Sequence, residues 1–122
     1  MSDYKIRLGK YGENLAADFL IKRGYKIIDR NYQTVYGELD LIATNSDELL
    51  FVEVKTRTKS SYGFPELAVN REKVKHLMKA ARVYLTYRKL TVVWQLDIIS
   101  VEIDPLAKTA KIRRFQDIRL DY

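Results

Sequence analysis

Leu8, Tyr11, Leu15, Phe19 and Leu20 recur at helical spacing and predict a helix over residues 3–23. Ser2 or Asp3 is placed to cap its start, and Gly24 to end it in the left-handed conformation. Gly9 and Gly12 weaken the first turns, unless another backbone has to approach closely there. Residues 25–33 read as a strand. Period-two alternation marks further strands at 36–44 and 48–56, joined by the polar turn Asn45, Ser46 and Asp47. Ser, Gly and Pro make 57–67 a loop. A second helix spans 70–88, capped by Asn70, with Val74, Leu77, Met78, Ala81, Tyr84 and Leu85 on its apolar face. Residues 91–103 form a long strand, Asp104 and Pro105 start a turn, and 109–115 return as a basic strand. The order helix, three strands, helix, two strands predicts an α/β fold: one central mixed sheet with flanking helices. With no repeat, linker or low-complexity tract, residues 1–122 are expected to form a single domain.

The two hairpin strands carry charges inside apolar runs: Glu38 and Asp40 on one, Glu53 and Lys55 on the next. Side chains alternate across a strand, so Glu38, Asp40 and Ile42 share a face, as do Leu49, Phe51, Glu53 and Lys55. If Ser46 and Asp47 make a two-residue turn, Asp40 lies opposite Glu53 and Glu38 opposite Lys55. Opposed Cβ atoms sit about 4.5–5.5 Å apart. Two carboxylates at that distance repel unless something positive lies between them. A hard divalent cation such as Mg²⁺ suits one or two carboxylates, and leaves room for water and phosphate. Lys55, on the same face, is placed to reach a phosphate oxygen or a water. The plainer reading is a solvated face on which Glu38 and Lys55 form a cross-strand salt bridge. Against it, Leu39, Leu41, Ala43, Leu50, Val52 and Val54 make the opposite face wholly apolar, and Ile42 and Phe51 share the charged one.

Composition narrows the classes. Hydrophobic residues make up 47%, too many for a disordered chain. The absence of cysteine excludes disulfides, zinc–cysteine sites and thiol chemistry. No apolar run reaches the roughly 18 residues of a membrane span, and the N-terminus lacks an apolar signal segment, so a cytoplasmic protein away from the membrane is expected. The net charge is +6. Its distribution says more: between Lys55 and Lys89 the acids are Glu66 and Glu72, against a long series of Lys and Arg. Lys75, Lys79 and Arg82 fall together on the second helix, where they serve either as phosphate contacts or as an ordinary solvated face.

The spacing of Asp40 to Glu53-Val54-Lys55 resembles the PD-(D/E)XK nuclease superfamily, whose core is helix, three-stranded meander, helix, strand. More closely, GKYGENLAADFLIKRGYKIIDRNY, GELDLIA, FVEVKTR, YGFPELAV and KAARVYL resemble the YraN-like family of endonuclease-type proteins, related to archaeal Holliday junction resolvases. That resemblance implies a restriction-endonuclease-like fold and a metal-dependent endodeoxyribonuclease using Mg²⁺ or Mn²⁺. It implies Asp40 and Glu53 as metal ligands, with the backbone carbonyl of Val54 as a third. Lys55 would orient water or stabilise the transition state, and Glu13 would be supplied by the first helix, with Glu38 a further acidic candidate. DNA is the implied partner, branched or single-stranded forms included, with Arg57, Lys59, Lys75, Lys79 and Arg82 as phosphate contacts. A second copy of the chain is a further possible partner. Gln33 and Val35 stand where such proteins often carry arginine, and QLD replaces an RFD-like stretch in the strand after the second helix.

Two other functions stay open: a catalytically weak nucleic-acid-binding module of the same fold, and a protein-interaction domain with a vestigial site. Intact Asp40, Glu53 and Lys55 favour the nuclease. Steep salt dependence would separate phosphate binding from an acidic protein partner. His76 reads as solvated or structural, and Trp94, Tyr11, Tyr25 and Tyr84 as packing. Tyr62 and Phe64 are the better candidates to touch a base.

Overall fold

A computed structural model describes residues 3–59 and 70–120. The helix α1 (Asp3–Ile21) leads into β1 (Lys26–Thr34), β2 (Gly37–Asn45) and β3 (Glu48–Thr58); α2 (Arg71–Tyr87) is followed by β4 (Val93–Asp104) and β5 (Thr109–Phe115). This is the predicted order. The strands form one sheet in chain order, antiparallel except for the parallel β3–β4 pair. A parallel pair needs a long crossover, and α2 lies within it. The result is the predicted α/β arrangement, one central mixed sheet with flanking helices.

Each face of the sheet is covered by one helix. Ala16, Ala17 and Leu20 of α1 pack on Leu41, Ala43, Leu50, Val52, Val54, Ile99 and Val101. Val74, Leu77, Ala80, Ala81 and Tyr84 of α2 pack on Leu39, Ile42, Leu49, Phe51 and Leu96. Both Tyr84 and Trp94 meet the Phe51 ring edge-on, at 5.7 and 5.6 Å. Asn70 caps α2, its side chain accepting the Lys73 N–H at 2.9 Å, a contact that stabilises a helix by about 1 kcal/mol. The predicted turn is present, with Ser46 at φ 56 between β2 and β3.

Several expectations shift. The buried stripe of α1 is Gly12, Ala16, Ala17 and Leu20, and Tyr11 is exposed instead of packed. Small residues let the helix lie close to the sheet: a Cβ on Gly12 would stand 1.8 Å from Thr56 Oγ1. The close approach at Gly12 therefore comes from a side chain, not a backbone. Strand β3 runs on to Thr58 because β4 continues beside it, pairing Arg57 with Glu102 and Thr58 with Ile103. The rest of the loop expected at 57–67, with Tyr62 and Phe64, lies outside the described residues.

The QLD stretch has a structural task. Asp97 is fully buried and accepts from Arg114 Nε at 2.7 Å, Gln95 Nε2 at 2.9 Å and the Asp117 N–H at 2.8 Å. Arg114 also donates to the Tyr25 hydroxyl at 3.0 Å. A buried charge so paired is tolerated, and it ties β5 and the residues after it to β4.

The hairpin register is the predicted one, Leu41↔Val52 through Asn45↔Glu48. Beyond Leu41↔Val52 the two strands share no further rung, while β2 stays with β1 to Gly37 and β3 stays with β4 to Thr58. The sheet forks there. The expected alternation also breaks, because Leu39 packs with the α2-side core while Leu41 and Ala43 pack with the α1-side core. Opposite Asp40, Asn31 of β1 adopts φ 49, and the β1–β2 register steps over this pair.

Candidate metal site and nucleic-acid surface

The acids gather at the fork. Asp40 and Glu53 are only 7% and 6% exposed. Asp40 Oδ2 accepts the Val54 N–H at 2.7 Å, taking a donor that an unforked ladder would have used. The Asp40 and Glu53 carboxyls are in hydrogen-bonding contact. Burial pushes the Asp40 carboxyl up to about 9; the hydrogen bond and charge of Glu53 add to the rise, the Val54 N–H opposes it, and Glu13 adds a further push. Without a bound cation the Asp40 carboxyl is thus biased toward its protonated form at neutral pH.

Glu53 Oε2 is buried without a hydrogen bond, although Lys73 Nζ stands 3.5 Å away. The distance suits an ion pair, but the lysine is not aimed at that oxygen. Lys73 belongs to the first turn of α2 and approaches from that helix's side of the sheet.

From the α1 side, Glu13 joins Glu38 and Asp40, each offering an oxygen within 4.8 Å of the others. Asn31 holds this group together: its Nδ2 donates to Glu13 Oε1 at 3.1 Å and to Glu38 Oε1 at 2.8 Å. The left-handed backbone at residue 31 suits asparagine better than most residues. Glu38 also accepts from Gln33 Nε2. The expected Glu38–Lys55 cross-strand pair does not form, because the ladder ends before it. The side chain of Val54 faces the α1-side core. Lys55 and Glu13 line a common groove of about 440 Å³ between α1 and β3, with Tyr4, Leu8, Gly9 and Arg57.

The donor set fits a hard divalent cation. The converging groups Glu13, Glu38 and Asp40 are all carboxylates, and Glu53, which meets Asp40, has a buried oxygen that lacks a hydrogen bond.

The basic candidates divide into two groups. Arg57 and Lys59 lie in ion pairs with Glu102 and Asp104 of β4, at 3.3 and 3.4 Å. Lys75 and Arg82 are exposed on α2, and Lys79 is half-buried with its Nζ 5.4 Å from the centre of the Tyr36 ring. His76 is exposed and pairs with Glu72 at 3.4 Å, one turn away on the same helix.

Sequence reasoning missed Asn31 and Lys73. A signal for Lys73 existed: with Leu77, Ala80 and Tyr84 it continues the buried stripe of α2 toward the helix start. Asn31 left a fainter trace, a polar residue inside a strand whose register places it opposite Asp40.

The fold and its forked, acid-bearing sheet define an α/β protein with one mixed five-stranded sheet between two helices. Residues 12–101 match the family described as "Uncharacterised protein family UPF0102", and the chain belongs to that family, the YraN-like group. It is 37% identical to a UPF0102 protein of Caldicellulosiruptor bescii over 113 residues, covering 91% of this chain and 95% of the relative. A UPF0102 protein of Syntrophomonas wolfei is 54% identical over 78 residues, or 64% of this chain and 68% of that one. Another from Clostridium botulinum is 33% identical over 118 residues, 96% of this chain and 97% of the relative. Among solved structures, Pyrococcus furiosus SfsA in complex with Ca²⁺ aligns with a TM-score of 0.41 and 14% identity, over 95% of this chain and 65% of that one. Among the described residues, no helix is long and apolar enough to cross a membrane.

Proposed function

We propose that this protein is a metal-dependent nuclease that hydrolyses phosphodiester bonds in DNA, branched or single-stranded forms included. The observation that carries this reading is the cluster of Glu13, Glu38 and Asp40 at the fork of a sheet, with Glu53 against Asp40, in a chain of net charge +6. Asp40 and Glu53, with the backbone carbonyl of Val54, are the residues to hold Mg²⁺ or Mn²⁺, and Glu13 and Glu38 complete the acidic group. When bound, such an ion supplies Lewis-acid polarisation of the phosphate and orders water beside it. Lys55, in the groove shared with Glu13, orients the attacking water or offsets negative charge as phosphorus is attacked. Lys73 offsets the charge of Glu53. Lys75, Lys79 and Arg82 contact phosphates. Arg57 and Lys59 do so in competition with Glu102 and Asp104.

The test is cleavage of labelled duplex, single-stranded, flap and four-way-junction DNA by the purified full chain in Mg²⁺ or Mn²⁺. Cleavage of at least one form, abolished by EDTA, is expected; no cleavage of any form rejects the reading. A catalytically weak DNA-binding module is the second reading. It is favoured by the proton on Asp40 and the lysine beside Glu53, which together neutralise much of the site without an ion.

A further inference from the structure

Away from the acids, α2 carries a stripe that the hydrolytic site does not use. Lys79, Arg82, Val83, Thr86 and Tyr87 recur at helical spacing, rotated from the buried stripe of Val74, Leu77, Ala81 and Tyr84. Facing it is Tyr36, from the turn between β1 and β2. These six residues line an open depression of about 400 Å³. Tyr36 is 43% exposed and Tyr87 77%. The ammonium of Lys79 near the Tyr36 ring is a cation–π contact.

The chemistry of this surface is selective. Aromatic faces accept any nucleobase by stacking, and flanking cations accept the phosphates that join one base to the next. A blunt duplex offers the phosphates but keeps its base faces stacked inside. Two exposed tyrosines beside two cations therefore suit a strand with unpaired bases.

The placement agrees. Tyr36 lies two residues before Glu38 of the acidic group. Lys79 lies six residues beyond Lys73, about 9 Å along the helix axis. Tyr87, fourteen residues beyond Lys73, lies about 21 Å along the same axis. A strand with one phosphate at the acids would reach Tyr36 and Lys79 within about three stacked nucleotides and Tyr87 within about six.

We infer that Tyr36 and Tyr87 form a stacking platform for unpaired nucleobases, with Lys79 and Arg82 taking the adjoining phosphates. This rests on the nuclease reading for its choice of nucleic acid, but the site is separate from the acids.

The experiment is metal-free binding of the full chain, in EDTA, to a labelled single strand and to a blunt duplex of the same sequence. Wild type is compared with the double variants Tyr36→Ala/Tyr87→Ala and Tyr36→Phe/Tyr87→Phe, each checked by a thermal melt. The alanine pair should lose about tenfold or more in single-strand affinity, and the phenylalanine pair should keep it. Blunt-duplex affinity should change less than about twofold, since the phosphate contacts remain. Equal losses on both DNAs, an unchanged single-strand affinity, or a wild type that binds no single strand would each overturn the platform. Because no metal is present, the outcome is independent of cleavage. Tyrosine-dependent binding by a protein that cuts nothing keeps the platform and removes the hydrolytic reading; cleavage with tyrosine-independent binding does the reverse.

Discussion

The carboxyl of Asp40 accepts the Val54 N–H at 2.7 Å, so a side chain stands where a rung between β2 and β3 would otherwise run. Asparagine at residue 40 offers the same acceptor oxygen and adds an NH₂ that can donate to Glu53, as the protonated acid does. The substitution therefore copies the metal-free state.

That similarity fixes a pH dependence. The Asp40 carboxyl is raised from 3.8 to about 9 in the folded chain, chiefly by burial and then by Glu53. Between about pH 4 and pH 9 the folded state holds a proton that the unfolded state has released, so this contribution is complete below about pH 4 and is lost as pH rises to about 9. Asp40→Asn removes the dependence. In EDTA at mildly alkaline pH, the variant should exceed wild type by about 1 kcal/mol or more, a rise of a few degrees in Tm. Thermal melts across the pH range check this. A variant whose pH slope matches wild type argues against the raised Asp40 carboxyl.

Asp40→Asn and Lys55→Ala should separate binding of the ion from chemistry. The first should weaken Mn²⁺ binding and hydrolysis together, and should keep or improve metal-free DNA binding, because a negative group is gone. The second should bind Mn²⁺ as wild type does and lose about a hundredfold or more in cleavage rate. Metal titration and single-turnover cleavage measure both. Lys55→Ala cleaving at the wild-type rate would remove the lysine from the mechanism.

Lys73→Met should expose the cost of the buried Glu53 oxygen. Lys73 is 41% exposed, so solvent already screens the pair, and the expected loss in EDTA is only about 1 kcal/mol. Adding Mn²⁺ should recover that loss, because the ion takes over the role of the lysine charge. Melts with and without Mn²⁺ decide. A deficit that persists in Mn²⁺ assigns Lys73 to packing.

The two glycines of α1 should respond in opposite directions. Nothing lies within 4 Å of a Cβ placed on Gly9, so Gly9→Ala should stabilise the helix by about 0.5–1 kcal/mol. Gly12→Ala drives its Cβ into Thr56 and should destabilise by about 1–3 kcal/mol. Denaturant unfolding of both variants measures the pair. A neutral Gly12→Ala would mean that α1 moves freely off β3.

The hairpin was legible because a two-residue turn and period-two alternation fix its register locally. The convergence of Asp40 with Glu53 follows from that register. The fork was not legible, because it arises from a side chain capturing a backbone donor, which no local pattern announces. The packing face of α1 was misread at Tyr11 because apolar character was weighed above size. A helix lying close to a sheet buries glycine and alanine and leaves the bulky ring outside. Lys73 was hidden by its charge, although its position matched the buried stripe of α2. Asn31 acts through a left-handed backbone and a contact with Glu13 eighteen positions earlier in the chain, and neither is written in neighbouring residues.

The fork also has a mechanical side. Below Leu41↔Val52 the backbone rungs hold β2 and β3 at a fixed separation; above it, the gap between them is bridged through side chains such as Asp40. The two prongs of the sheet are thus held across the gap by side-chain contacts, while the backbone ladder below fixes the rest of the hairpin, so a substitution at Asp40 alters the mouth of the sheet and leaves the hairpin register in place.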